Sequence, residues 1–306
     1  MSDAALPTAT SPVEAKEETP FRRFVRSFIE DRLALFGLAL FILIVLLALA
    51  APLIAPQNPY DLASVDVMDS RQPPGSAAGE GFTMWLGSDG VGRDLLSGIL
   101  YGLRISLMVG AFSGILAASL GAAIGLIAAY AGGRTENAIM RLVDLQLSLP
   151  SVLVALILVA GLGKGVDKII IALVMVQWAY YARTVRGSAL VERRKEYVEA
   201  AQSLGLSHAR TVFRHILPNC LAPVIVIVTV QTAHAISLEA TLSFLGVGLP
   251  QTEPSLGVLI ANGFQYMLSG SYWISVFPGF ALLMTIVSIN LVGDRLRDVL
   301  NPRLEK

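Results

Sequence analysis

The sequence predicts an all-α membrane protein with six transmembrane helices, on three observations. Its 306 residues are 54% hydrophobic and 15% charged, with a mean hydropathy of +0.65, whereas soluble domains run nearer 25% charged. Stretches free of Asp, Glu, Lys and Arg recur at residues 33–60, 105–133, 145–163, 216–238 and 254–293, each long enough for a crossing of roughly 20 residues. The charges cancel at 23 basic against 23 acidic, yet they are sorted along the chain rather than spread. This composition excludes a disordered chain, which would be less apolar, and a disulfide-stapled secreted domain, because Cys220 is the single cysteine. A net charge of zero offers nucleic acid no global attraction, and no nucleic-acid partner is expected.

Taken in order, residues 1–20 are rich in Ala, Thr, Pro and Glu and read as a flexible cytoplasmic tail. The first span follows at 33–60. Ala48-Leu49-Ala50 resembles a signal-peptidase site, but the apolar run before it is longer than a signal core, so the segment reads as a span. Residues 21–103 contain this span and the largest loop, extracytoplasmic, with a Pro/Gly/Ser-rich stretch at 72–81. The second span, 105–133, sets Gly110, Gly114, Ala118 and Ala122 four apart with Gly121 and Gly125 beside them, a pattern for close helix packing. The third is 145–163. The fourth is short: residues 169–182 reach about 21 Å at helical rise, and cross only by extending to Val185 with Arg183 snorkelling. The fifth is 216–238, and the sixth is the dense run 272–292. Residues 301–306 are a cytoplasmic C-terminus.

Six spans place both termini on one side, and lysine and arginine mark the cytoplasmic side. With the N-terminus inside, 18 of the 23 basic residues are internal. They include Arg22, Arg23, Arg26 and Arg32 before the first span, and Arg183, Arg186, Arg193, Arg194, Lys195, Arg210 and Arg214 between the fourth and fifth. Arg71, Arg93, Arg104, Lys164 and Lys168 are outside.

Catalytic signals are nearly absent. The nearest approach to a phosphate-binding loop, Gly163-Lys164, has Leu158 for the first glycine and Gly165 for the hydroxyl residue, so no ATP site is expected. His208 and His215 could share a helix face, but no Cys, Asp or Glu completes a metal set. No catalytic, cofactor or metal residue is therefore assigned. In the fifth span Gln231, His234 and Glu239 are candidates to line a translocation path, because ionisable groups inside a bilayer usually face a bundle interior or cavity. Helix-packing hydrogen bonds, with Glu239 at the outer boundary, are the alternative.

The inner segment between the fourth and fifth spans is the most informative. Residues 188–203 are charged and helix-competent, with Leu190, Tyr197, Ala200, Ala201 and Leu204 on an apolar face. Gly205 breaks the helix as a left-handed turn would require. Ser207 can cap a second short helix running to Leu217, which Pro218 and Asn219 would end before the fifth span. Either this is a basic hairpin on anionic lipid, or it is a rigid helix–turn–helix that docks a partner.

Glu199-Ala200-Ala201, then Gly205, then Ile216-Leu217-Pro218 resembles the cytoplasmic signature of permease subunits in bacterial ATP-binding-cassette importers. Two further blocks are similar to the peptide and nickel branch. One runs from Leu86-Gly87-Ser88-Asp89-Gly90 through Arg93-Asp94 to Arg104-Ile105-Ser106-Leu107. The other comprises Leu242-Ser243-Phe244-Leu245-Gly246, Phe277-Pro278-Gly279 and Asn290-Leu291-Val292-Gly293-Asp294. The resemblance covers roughly residues 25–304 and fits the second permease of dipeptide and oligopeptide systems. Ser88, Leu256 and Asn301 depart from its usual Thr, Trp and Asp.

The resemblance implies the type I importer permease fold, with a core at 104–300 and a coupling loop at 186–219. In that loop Glu199, Ala200, Ala201, Gly205, Leu217 and Pro218 would form the ATPase-coupling element, Gly205 fixing the angle between its two short helices. It implies a second homologous permease, two ATPase subunits that carry ATP and Mg, an extracytoplasmic binding protein that does most of the selecting, and a place in the bacterial inner membrane among its lipids. The subunit itself would not be an enzyme. Dipeptides or oligopeptides are the expected cargo. Nickel, glutathione or sugar are alternatives within the family, and a self-contained secondary transporter or channel, or an intramembrane enzyme, lies outside it.

Overall fold

A computed structural model describes residues 19–61, 65–79 and 81–300. Residues 1–18 of the expected tail and the C-terminus at 301–306 lie outside these. The chain is helical almost throughout. A short helix α1 (Pro20–Ile29) leads into α2 (Arg32–Ile54), whose first turn is capped by Asp31, the side chain accepting from the backbone N–H of Leu33 at 2.8 Å and Ala34 at 3.2 Å. The outer loop holds a small antiparallel hairpin, β1 (Ser76–Ala77) with β2 (Thr83–Met84), in register Ser76 to Met84. Then come α3 (Leu95–Ala131), α4 (Gly133–Ser148), α5 (Ser151–Leu162) and α6 (Val166–Glu192). The inner segment contains α7 (Glu196–Ser203) and α8 (His208–Thr211). Last are α9 (Leu217–Phe244), α10 (Leu256–Phe264) and α11 (Trp273–Leu300).

The long helix α3 is the axis of the bundle, and its small residues decide what it touches. Gly110 and Gly114 meet α9, where an added Cβ would come within 2.7 Å of Ile236 and 3.0 Å of Thr232. Further along, Gly121 and Gly125 meet α6, and a Cβ on Gly125 would stand 2.5 Å from the Ala182 carbonyl. The expected small-residue pattern therefore lets α3 pack against two neighbours at backbone distance. Its opposite face, with Phe112, Ile115 and Leu116, is exposed as a lipid-facing surface would be.

The six-span expectation is met in part. Among the described residues four helices are long and apolar enough to cross a bilayer: α2, α3, the continuous segment His208–Phe244, and α11. A fifth exists if α4 and α5 cross together, but they meet at 93°, so the expected continuous span at 145–163 is two helices. Pro150 accounts for the break. It forces Leu149 out of helical geometry (φ −90°, ψ 140°) and leaves α5 with only 12 residues. Helix α6 is long enough at 27 residues, but Gln177, Tyr180, Tyr181, Arg183 and Arg186 interrupt its apolar run, and it is not among the four.

Pro218 does not end a helix as expected. From His208 the chain stays helical through Phe244, passing through a π-helical turn at Val212–Ile216. Pro218 follows directly on the π-helical turn, as the second residue of α9. The Asn219 side chain donates at 2.7 Å to the His215 carbonyl inside the widened turn.

Candidate functional site

Helix α7 lies in the basic inner segment between α6 and α9. Its inner side is Val198, fully buried in a core with Ile216 and Cys220 of the following helical segment, and Ala201, 4% exposed. Its outer side presents Glu196, Glu199, Ala200, Ser203 and Leu204, the last 80% exposed. This corrects the expected apolar face: Ala200 and Leu204 point away from the protein, and Val198 takes the core position. The two alanines thus have separate roles, Ala201 packing inward and Ala200 leaving the outer face low enough for close approach.

Gly205 behaves as its type demands. Its φ is +74°, and a Cβ added there would meet nothing within 4 Å, so conformation rather than space requires glycine. The Leu206 N–H returns to the Ala201 carbonyl at 3.2 Å, the long bond of a Schellman C-cap. Ser207 then accepts from the Arg210 N–H and caps α8, as expected. Leu217 is half-buried and Pro218 exposed at the start of α9.

A node of polar side chains fixes α7 to the bundle. The chain turns at Arg193–Lys195, with Lys195 N–H bonded to the Glu192 carbonyl at 3.1 Å. Glu192, 9% exposed, accepts from Lys195 Nζ at 2.7 Å and from the Tyr197 hydroxyl at 2.6 Å. Asn219 Nδ2 donates to the same hydroxyl at 3.2 Å. One tyrosine thereby ties the end of α6 to the start of α9. Burial pushes the Glu192 carboxyl up, but the bonds from Lys195 and Tyr197 more than reverse this, holding it below the ordinary glutamate value. Burial and the Glu192 charge push the Tyr197 phenol up to about 12, so it stays a donor at any working pH. A second tie reaches α3: Arg193 donates to the Ala129 carbonyl at 2.9 Å and lies 5.5 Å over the Tyr130 ring, whose hydroxyl bonds His208. Arg183 and Arg186 of α6 pair with Asp144 and Glu136 of α4.

Sequence reasoning missed this node. The charged run offers Glu192, Glu196 and Glu199 alike, and the turn that sends Glu192 inward contains neither Gly nor Pro.

The three candidate path residues occupy different surroundings. Gln231 is 6% exposed and lines a cavity of about 540 Å³ between α6, α9 and α11, with Thr184, Pro223 and Arg297 among its walls. Its backbone carbonyl accepts from Gln177 Nε2 at 3.0 Å, and its own Oε1 is buried without a protein partner. His234 is half-buried beside Ser151 of α5. Glu239 is fully buried near the far end of α9, bonded by the hydroxyls of Ser243 at 2.8 Å and Ser106 of α3 at 3.1 Å. The structure does not bring the three into one site.

At the opposite end, the Gly87–Asp94 block builds a rigid loop. Asp89 accepts from Arg93 Nε at 2.7 Å in a buried ion pair, and also from the N–H groups of Val91 and Arg93. Arg93 reaches the Gln251 carbonyl, and Trp273 Nε1 donates to the Ser88 carbonyl. Asp89 and Arg93 also line a cavity of about 510 Å³ of mixed character, with Val65, Val67, Gln251, Asn262, Gln265 and Tyr266 among its other walls. Among the described residues no cluster of His, Cys, Asp and Glu could hold a metal ion.

Residues 121–306 match the profile described as "Binding-protein-dependent transport system inner membrane component". The chain belongs to this permease family. Residues 19–74 match a second profile, the N-terminal TM domain of oligopeptide transport permease C. The permease is 37% identical to the di/tripeptide transport system permease protein DppC of Pseudomonas aeruginosa, over 94% of this chain and 93% of that one. It is 36% identical to the oligopeptide transport system permease protein OppC of Bacillus subtilis, over 91% and 88%. Among solved structures, an inward-facing MetNI methionine ABC transporter chain aligns with a TM-score of 0.53 at 20% identity, covering 65% of this chain and 94% of that one, a likeness of fold. The permease is a multi-pass inner-membrane component of a binding-protein-dependent ABC system, a class that works with ATPase, permease and binding-protein partners.

Proposed function

We propose that the chain is the second permease of a di- or oligopeptide ABC importer. It would form the translocation path with one homologous permease and be driven by two ATPase subunits. The relatives transport peptides by name, and the match runs over nearly the whole chain. The observation that carries the mechanism is the outward face of α7 on a rigid mount. Glu199 and Ala200 are exposed, Gly205 sets the angle to α8, and Tyr197 joins the mount to two long helices. A displacement of α7 by a closing ATPase pair would pass through Tyr197 and Asn219 to the π-turn, where α9 has a wider and weaker hydrogen-bond ladder. Bending there would move the wall that carries Gln231 and its cavity.

The six-span topology with both termini cytoplasmic belongs to this reading, with α4–α5 and α6 supplying the third and fourth crossings. The 18 internal basic residues support it. The domain division belongs to the same reading: a tail at 1–20, the first span and loop at 21–103, a core at 104–300 with its coupling loop at 186–219, and the C-terminus at 301–306. The cavity beside Asp89 and Arg93 would then face the binding protein. ATP and Mg would be held by the partner subunits.

Co-expression with the ATPase and second-permease subunits tests the assignment. The ATPase should copurify with the chain, and Leu204→Glu, on the exposed side of α7, should reduce its capture about tenfold, an interface loss of about 1.4 kcal/mol, at unchanged membrane level. Transport by the isolated chain without ATPase would overturn the proposal.

A further inference from the structure

Helix α1 has a composition that the transport cycle does not explain. At 100° per residue, Arg22, Arg23 and Arg26 fall within about 100° of arc; Phe24, Val25 and Phe28 occupy the other side, and Ile29 lies at the boundary beside Arg22. The other charged helices, α4 and α7, segregate their residues less strongly. The arginines are exposed, and Arg26 lies 3.4 Å from Glu30 in a pair whose side chains are both more than 60% exposed. On the apolar side Phe28 is 8% exposed, stacked against Phe24, while Ile29 is 53% exposed. Ile29 continues into Leu33 and Phe36 of α2, 67% and 59% exposed, on a helix apolar enough to span. The helix is anchored rather than dangling, because Arg295 of α11 donates to the Ser27 carbonyl.

With its apolar side packed on the protein, the helix holds its arginines outward at the inner end of a span, next to exposed Ile29, Leu33 and Phe36, and guanidinium groups bordering exposed apolar side chains suit the headgroup layer of a bilayer. We infer that α1 lies in the cytoplasmic headgroup layer, where Arg22, Arg23, Arg26 and the exposed Arg32 form a binding site for anionic phospholipid. Ile29, Leu33 and Phe36 sit at acyl-chain level below it. Guanidinium groups suit the site, since each presents a planar fork to phosphate oxygens and stays charged throughout. The depth of the site rests on the cytoplasmic orientation proposed above; its ligand class rests on the side chains alone.

Native mass spectrometry of the purified full chain, exchanged with phosphatidylglycerol or phosphatidylcholine, reads the site directly. The wild type should retain phosphatidylglycerol in preference. The combined variant Arg22→Gln, Arg23→Gln, Arg26→Gln, all exposed and outside the core, should lose about tenfold of that retention and keep its thermal midpoint. Equal retention by the two proteins overturns the proposal, as does equal retention of the two lipids by the wild type. If lipid retention holds while ATPase capture falls, the basic face is a protein contact and the proposal fails. A cysteine replacing Glu30, tested with an impermeant maleimide in intact cells, separates the two readings. Labelling from outside refutes the orientation without touching the lipid result.

Discussion

Two acidic side chains outside the spans show how residue-level surroundings set behaviour. Glu192 has each carboxylate oxygen bonded, and its charge is stabilised. Asp94 caps α3 with Oδ2 alone, accepting from the Ser97 N–H at 2.7 Å and hydroxyl at 2.6 Å, while Oδ1 is buried without a partner. Burial pushes the Asp94 carboxyl above its ordinary value despite the Ser97 bonds. A group whose folded value is raised contributes most below its unfolded value, and that contribution fades as pH rises through the folded one. Asp94→Asn keeps an acceptor for the cap and removes the buried charge, so it should match or exceed wild-type thermal stability at pH 7, its advantage shrinking on acidification. Asp94→Ala should cost about 1 kcal/mol through the lost cap. Melting curves of both variants across pH decide this, and an Asn variant that melts far below wild type at neutral pH would contradict it. Tyr197→Phe makes a different test. The ring still packs, but the bonds to Glu192 and Asn219 vanish, so transport per ATP hydrolysed should fall several-fold while membrane level changes little. A fully coupled Phe variant in reconstituted vesicles would remove Tyr197 from the transmission route.

At the scale of elements, the features legible in advance were those written in backbone chemistry. Gly205 announced a left-handed turn, Ser207 a cap, and the glycines of α3 a close approach, because each depends on a residue type with few conformational alternatives. The features that were not legible depend on choices between equivalent residues. Nothing local distinguishes Val198 from Ala200 as the inward side chain of α7, and the turn at Arg193–Lys195 is held by a local Lys195–Glu192 pair together with the long-range bond from Arg193 to Ala129. In the charge-free stretch 145–163, apolarity predicts a span, and Pro150 within it decides the bend. Gly205 gives the sharpest element-scale prediction. Since no atom lies near it, Gly205→Asn, a residue that tolerates φ near +74°, should preserve coupling, whereas Gly205→Val should strain the turn by about 1–2 kcal/mol and depress ATPase stimulation more than folding. ATPase assays at matched membrane levels check the pair, and equal stimulation in both variants would show that the angle between α7 and α8 does not matter.

For the whole molecule the open choice is how α6 lies. Its composition argues against a crossing, yet its packing argues for one. It runs beside α3 along the Gly121 and Gly125 contacts, and α3 is apolar enough to span. Its polar residues are also placed where a crossing would tolerate them. Gln177 is fully buried and bonded to α9, while Arg183 and Arg186 are paired with Asp144 and Glu136 towards the basic end. Hydropathy counts those side chains as though lipid surrounded them, but a helix enclosed by neighbours pays that cost only where it faces the acyl chains. The helix should therefore cross, with Lys164 outside and α7 inside. Cysteine labelling reads this with little background, because the native Cys220 is buried. A cysteine replacing exposed Lys164 should react with an impermeant maleimide in cells whose outer membrane is opened, and one replacing exposed Ser203 should react only after the inner membrane is breached. Equal reactivity of both from outside, or of neither, would place the two ends of α6 on one side of the membrane. In that case α7 could not reach a cytoplasmic ATPase while the outer loop faced a binding protein, and the coupling route through Tyr197 would fall with the topology.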